Sequence, residues 1–390
     1  MPPSILLLSE IFPPQSGGSG RWFSEIYPKI TQFKTHCMVQ QQAEQAAYDQ
    51  RYPDQQILRC NLQMKDRAPL SLSSARRYAS IARLVRKNAR KLKVNQLHAA
   101  RPLFEGLTTR LVNTTLRLPR VCYVHGEDIS VAATSRELRL ATSYALGGKA
   151  TIVANSVFTQ KMLTKDWKIN SNRIRVINPG VDTTFFTPAP KCPSTRTKLG
   201  WVDKTVVLTV GRLQRRKGHD NFIRALSSIQ KSIPNILYAI VGSGPMKSEL
   251  ESLAKKRGVS DAVRFQGEIT DAEMLNCYQQ CDLFSLPNRS DGADVEGFGM
   301  VSLEAQSCGK PALVGDSGGT PETIVQGKTG FAIDCSQPDL IAHKTCELLS
   351  EPHALTHLGQ NARARAVEQF DWKAIVRRSE QLFHDIEQSR

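Results

Sequence analysis

Short apolar runs of three to six residues recur along this chain, most of them followed by a turn and then by a stretch with helical spacing. The first, Ser4–Leu8, leads into a loop rich in Pro and Gly, Phe12 to Gly20, and a helical pattern begins near Arg21. Further runs are Leu97–Ala100, Arg120–Val124, Ala150–Ala154 and Ile174–Ile177, with helical stretches at Ser73–Leu92 and Glu137–Leu146. Such alternation predicts α/β structure: a parallel sheet covered by helices on both faces. A segment dense in turn residues, Asn178–Asp182 through Pro188–Pro190, then reads as a linker. After it the alternation restarts, at Thr205–Val210, Ile236–Val241, Val263–Phe265, Leu283–Leu286 and Pro311–Val314, and the chain closes with a helical pattern at Trp372–Ile386. With 390 residues the chain is too long for one ordinary core. The expectation is two doubly wound domains, with ligands at the carboxyl ends of their strands.

Charge separates the two halves. Residues 1–190 hold 27 basic and 12 acidic side chains, whereas residues 191–390 hold 25 and 24. Almost the whole net charge of +16 therefore sits in the first half, which suggests a polyanionic partner: nucleic acid, an anionic membrane surface or a phosphorylated substrate. Composition, 40% hydrophobic and 23% charged, excludes a disordered or fibrous chain. The longest early apolar run, Ile5–Leu8, falls far short of the ~20 residues of a transmembrane helix, and no basic segment precedes it. Nine scattered cysteines, with only Cys277 and Cys281 one helical turn apart, read as reduced thiols. A cytoplasmic location is expected.

The most informative stretch runs from Asp294 to Glu304, Asp-Val-Glu-Gly-Phe-Gly-Met-Val-Ser-Leu-Glu. A helix starting near Gly299 would leave the backbone N–H groups of Phe298, Gly299, Met300 and Val301 free for anionic or hydroxyl oxygens. Glu304, one turn in, suits a vicinal diol such as ribose, and Glu296, in the preceding loop, suits sugar hydroxyls. Standing alone, the pair would be an ordinary helix carrying two acids. A second loop, Gly211-Arg-Leu-Gln-Arg-Arg-Lys-Gly-His219, follows a strand and places Arg212 and Lys217 to grip a diphosphate, while Arg215 and Arg216 are expected to face solvent. Ser317-Gly-Gly-Thr-Pro-Glu322 is expected to begin another helix.

These pieces, in this order, resemble the retaining GT-B glycosyltransferases of family 4 (glycosyltransferase group 1). The others are the Gly-rich loop at 15–20, His125-Gly126, Asn155-Ser156, Asn178-Pro-Gly-Val-Asp182 and Gly242-Ser-Gly-Pro245. The resemblance spans the chain and implies two Rossmann-like domains facing a cleft. Residues 1–184 would be an acceptor-binding domain, with a C-terminal helix, 371–390, packing back on it. Residues 185–370 would be the donor-binding domain. By resemblance, Arg212 and Lys217 bind the donor pyrophosphate, Glu304 the ribose and Glu296 the transferred sugar. Residues Phe298, Gly299, Met300 and Val301 offer N–H groups, the turn Gln266–Ile269 cradles the base, and Gly244 belongs to the donor-binding residues. Gly17 and Gly18 approach the β-phosphate, and His125 faces the sugar and acceptor. No metal or other cofactor is expected, since no Asp-x-Asp motif occurs and Arg and Lys would stabilise the leaving group.

Asp294-Val-Glu-Gly with Leu303-Glu-Ala-Gln306 most resembles the mannosyltransferases that use GDP-mannose, including those acting on phosphatidylinositol mannosides. UDP-glucose and UDP-N-acetylglucosamine are the alternative donors, and a sugar-nucleotide epimerase is an alternative activity. The basic helix within 73–93 carries eight Lys and Arg and no acid, with Tyr78, Ile81, Val85 and Leu92 at helical spacing. Its bland reading is a solvated face. Its functional reading is contact with an anionic membrane or phosphorylated acceptor, which would put the enzyme peripherally on the inner face of the membrane. The acceptor implied by the resemblance is lipid-linked or a glycan. A nucleic-acid-binding α/β protein is the non-enzyme alternative, but no stacking-aromatic or helix-turn-helix motif supports it, and no nucleic acid is expected as partner. Glu127 and Asp128 read equally as an acceptor contact or a loop acid pair, and His98 as core or cleft lining.

Overall fold

The computed structural model describes residues 2–15, 17–53, 55–64 and 71–389; within the Gly-rich loop, Ser16 lies outside them. Contacts divide the chain into two compact units, Met1–Pro179 with Trp372–Arg390, and Gly180–Asp371. The first unit is built on strands β1 (Ser4–Ser9), β2 (Lys34–Gln40), β3 (Ile57–Cys60), β4 (Gln96–Ala99), β5 (Arg120–Val124), β6 (Thr151–Ala154) and β7 (Ile174–Val176). They form a parallel sheet in the order β3-β2-β1-β4-β5-β6-β7. The second unit holds β8 (Thr205–Val210), β9 (Ile236–Val241), β10 (Val263–Gly267), β11 (Leu283–Leu286), β12 (Ala312–Gly315) and β13 (Gly330–Ile333), parallel in the order β10-β9-β8-β11-β12-β13. Both sheets are doubly wound, as expected, and each reverses direction at one point, β1/β4 and β8/β11.

The most continuous apolar runs, those of β8, β9 and β11, belong to strands buried on both faces, while the edge strands β7 and β10 are marked by the shorter runs within Ile174–Ile177 and Val263–Phe265. In β8, Val206, Leu208 and Val210 enter one core with Phe186, Trp201 and Tyr278, while Val207 enters the opposite core with Phe222 and Tyr238. Alternate side chains of a strand point to opposite faces, so two buried faces demand an unbroken apolar run. Strands β3 and β13 are half-buried sheet edges that no apolar run in the sequence marks. Strand β2 is likewise unmarked because Lys34, His36 and Gln40 interrupt its apolar residues. The expected helix at Ser317–Glu322 is a single turn, Thr320–Thr323. Ile324 leaves it in extended geometry (φ −124°, ψ 166°), which buries its side chain in the second unit's core. The helix Leu72–Lys91 buries Tyr78, Ile81, Ala82, Val85 and Ala89 and leaves Arg76, Arg83, Lys87, Arg90 and Lys91 exposed.

Candidate active site

At the β8/β11 switch point two loops meet. The loop after β8 carries Gly211 to Gly218, and the loop after β11 runs to Gly299. Gly218 has φ +72°, and a Cβ there would lie 1.7 Å from the Pro287 carbonyl oxygen, so only glycine lets the two loops come together. Arg289 N–H donates to the Arg216 carbonyl at 2.8 Å and closes the seam. Behind it Arg289 grips the Asp220 carboxylate with two bonds, 2.7 and 3.1 Å, anchoring the start of the helix His219–Ser232.

The seam brings Lys217 and Glu296 into an ion pair, Nζ to Oε2 2.7 Å. Arg216, expected in solvent, is instead buried here. Its Nε stands 3.4 Å from Asp294 and 3.7 Å from Glu296, and its Nη1 donates to Gln214 at 2.6 Å. The fold turns this arginine inward because Asp294 and Glu296 arrive from a loop more than seventy residues away. Arg215 does face solvent, beside Glu249. Arg212 is exposed. Burial works to raise the Glu296 carboxyl, but Lys217 and Arg216, with a smaller contribution from Arg212, hold it below the ordinary carboxylate range.

Glu296 also receives the next loop. The Gly319 N–H donates to its carbonyl at 2.9 Å, and Gly318 (φ +70°) would place a Cβ 2.1 Å from that oxygen. The helix Met300–Ser307 starts as the residue spacing predicts, with Gly299 left-handed at its N-cap and no side chain capping its first turn. Phe298 is buried against Phe370, and Met300 and Val301 are half-buried. Inside the helix, Glu304 is buried and accepts the Tyr278 hydroxyl at 2.7 Å. Tyr278 carried no sequence signal, since its helix, Asp271–Gln280, reads as ordinary core packing. Gly244 lies in a loop laid on the Arg212 loop: the Leu213 N–H donates to the Ser243 carbonyl at 2.8 Å, and the Leu213 carbonyl accepts the Met246 N–H at 3.2 Å. The turn after β10 joins it through Gly242 N–H to Gly267 carbonyl, 2.8 Å, with Gln266 and Ile269 half-buried there. Among the described residues no cluster of His, Cys, Asp and Glu is arranged to hold a metal ion.

His125, Gly17 and Gly18 lie in the other unit. His125 follows β5, half-buried edge-on to Trp22 and Phe23, and its Nε2 meets the Ala100 carbonyl at 2.9 Å. Gly17 is extended (φ 162°) and Gly18 is exposed at the start of the helix Gly18–Ile26. Asp128 caps its own helix, accepting the His125 and Ile129 N–H groups at 3.1 and 2.8 Å. His98 is core. It bonds Tyr27 at 2.6 Å, and burial drives its pKa down to about 3.

Residues 193–365 match the sequence model of the family described as Glycosyl transferases group 1, and residues 41–185 that of Glycosyltransferase Family 4. The chain is 37% identical over 215 residues to a GDP-mannose-dependent alpha-(1-6)-phosphatidylinositol monomannoside mannosyltransferase of Mycolicibacterium smegmatis, covering 54% of this chain and 56% of that one. It is 32% identical over 243 residues to a D-inositol 3-phosphate glycosyltransferase of Thermobispora bispora, 60% of this chain and 55% of that one. The chain thus spans about half the length of the curated relatives it matches. Among solved structures it is similar in fold to Anabaena HepE in complex with UDP (TM-score 0.81, 20% identity, 98% of this chain and 100% of that one). It is similar in the same way to a sucrose-phosphate synthase of Thermosynechococcus elongatus (TM-score 0.80, 19% identity, 100% of both).

Proposed function

Because the chain belongs to the family 4, group 1 glycosyltransferases, we propose that it is a retaining hexosyltransferase that moves mannose from GDP-mannose to a lipid-linked or glycan acceptor. The observation that carries the reading is the Lys217–Glu296 pair beneath the open N-terminus of the helix Met300–Ser307. Lys217 and Arg212 would take the donor diphosphate, whose negative charge grows as the glycosidic bond breaks. The N–H groups of residues 298–301 add fixed dipoles in the same place. Once Lys217 turns to phosphate, Glu296 is free to accept sugar hydroxyls. Glu304, oriented by Tyr278, would accept the ribose hydroxyls. Gln266 and Ile269 would border the base and Gly244 would belong to the donor site; for the first unit, the roles we propose are the β-phosphate for Gly17 and Gly18 and the sugar and acceptor for His125. In this reading no metal takes part, because arginine and lysine do its electrostatic work.

The likeness to mannosyltransferases supports mannose and guanine together, and the cationic outer face of the helix Leu72–Lys91 supports an acceptor at an anionic membrane surface. No helix among the described residues is long and apolar enough to cross a membrane. In this reading attachment runs through the basic face of the helix Leu72–Lys91, at the cytoplasmic side.

A thermal-shift and calorimetric screen of GDP-mannose, UDP-glucose, UDP-N-acetylglucosamine and ADP-glucose tests the donor. GDP-mannose should stabilise the wild type and fail to stabilise Glu304→Ala. Stabilisation by a uridine donor alone would overturn the mannose reading, and binding of none would overturn the enzyme reading.

A further inference from the structure

The loop after β4 closes a ring of charges that no step above uses. Arg101 Nη2 donates to Glu10 Oε2 at 2.8 Å and to Glu105 Oε1 at 3.2 Å, and its Nε reaches the same Glu105 oxygen at 3.4 Å. The Glu10 backbone N–H donates to Glu105 Oε1 at 2.9 Å, tying the ends of β1 and β4 together. Glu105 is fully buried, and its other oxygen has no hydrogen-bond partner among the described residues. Beside it Phe104 is held at φ 59°, ψ −74°. Such a backbone costs on the order of 1–3 kcal/mol and persists only where its surroundings over-determine it. Here the ring does so, with a Gly106 N–H to Arg101 carbonyl bond of 2.8 Å.

One residue separates the ring from His125. Ala100 donates its N–H to the Leu8 carbonyl at 3.0 Å and accepts His125 Nε2–H at 2.9 Å. A carbonyl has no proton to give, so neutral His125 carries its proton on Nε2 and keeps Nδ1 as an acceptor. We infer that Arg101 is a positioning residue: clamped between Glu10 and Glu105, it fixes the Ala100 carbonyl and thereby holds His125 with Nδ1 available to a sugar or acceptor hydroxyl. The inference rests on the role proposed for His125 above. Electrostatics act in the same direction. Burial lowers the His125 pKa and Arg101 lowers it further, against the Asp128 carboxylate and the Ala100 bond, which raise it. Trp22 and Phe23, edge-on to the ring, add no charge.

Long-range proton–nitrogen spectra of the full chain carrying ¹⁵N-histidine read the tautomer directly, with His125 assigned by its loss in His125→Asn. The wild type should show the Nε2–H form from about pH 6 to 8. Arg101→Gln should mix the tautomers and raise the His125 midpoint. Arg101→Lys keeps the charge but loses the two-carboxylate fork, so it should mix the tautomers without moving the midpoint. Glu105→Gln, which preserves shape, serves if Arg101→Gln does not fold. Unchanged His125 nitrogen shifts in a folded Arg101 or Glu105 variant would overturn the inference. With GDP-mannose as probe and water as the acceptor of the mannosyl group, Arg101→Lys should lower the kcat of GDP release about 10- to 100-fold and move KM less than about twofold. An altered tautomer with unchanged kcat would also overturn it. A wild type that does not bind GDP-mannose by calorimetry would instead refute the donor assignment, leaving the spectroscopic answer intact.

Discussion

Lys217 Nζ stands 2.7 Å from Glu296 Oε2, with the two side chains only 9% and 12% exposed. The pair joins the loop after β8 to the loop after β11, so one contact serves both the fold and the proposed chemistry. Each charge compensates the other's loss of water, and in the proposed function a donor diphosphate would take the lysine.

Replacing Lys217 with Ala should separate these two roles. Arg216 remains 3.7 Å from Glu296, so the loss of stability should reach no more than about 3 kcal/mol, the lower end for a broken buried pair. Transfer should fall about 10²- to 10³-fold in kcat, the range for a removed transition-state donor. Unchanged kcat in a folded variant would contradict the leaving-group role.

Acid should erase the stability difference between that variant and the wild type. Lys217 and Arg216 outweigh burial and keep Glu296 below the ordinary carboxylate range. A depressed carboxyl lends stability above its unfolded pKa of about 4.3 and loses it as pH falls through the folded value. Urea midpoints followed from neutrality to about pH 3 should therefore converge. A gap that persists at the acid end would show that Glu296 is not its source.

Tyr278→Phe removes the 2.7 Å bond to Glu304 and keeps the aromatic ring. Stability should drop by about 1 kcal/mol, the net worth of one hydrogen bond. Calorimetry should show GDP binding weakened about 3- to 10-fold, since the carboxylate loses its orientation. Undiminished affinity would mean that Glu304 is held by other contacts.

Two glycines with nearly the same φ offer a matched comparison. Gly318→Ala, at φ +70°, meets the Glu296 carbonyl at 2.1 Å, whereas Gly327→Ala, at φ +71°, meets nothing within 4 Å. The backbone penalty of about 1–2 kcal/mol applies to both. Only Gly318→Ala should exceed it and impair donor binding, as read from denaturation midpoints and a nucleotide titration.

Reversing Arg83, Lys87, Arg90 and Lys91 to Glu tests the outer face of the basic helix. Each cation near an anionic surface contributes about 1 kcal/mol, so flotation with anionic vesicles should vanish while neutral vesicles show no difference. Arg86 is left out because it is half-buried. Equal binding of the wild type to both vesicle types would refute the docking surface.

Most of the architecture was readable where burial on both faces forces an apolar run, as in β8, β9 and β11, and where a turn demands glycine, as at Gly218 and Gly299. Lys217, Glu296 and Glu304 were readable because charged residues recur around those glycine turns. Arg216 was not. Nothing local distinguishes it from Arg215 beside it, and its acids come from a distant loop. Tyr278 and the Arg101 ring were hidden for the same reason, since each joins partners from separate elements.

By itself, then, the sequence determined the alternation of strand and helix, the division of charge between its halves and the loops that carry the candidate donor site. Those features depend on neighbours a few residues away, or on how many faces a segment must bury. Tertiary structure alone decided which cation is buried, which hydroxyl holds Glu304 and which way the His125 proton points. Each depends on a partner dozens of residues away, and no local pattern of residues encodes which of the available partners arrives.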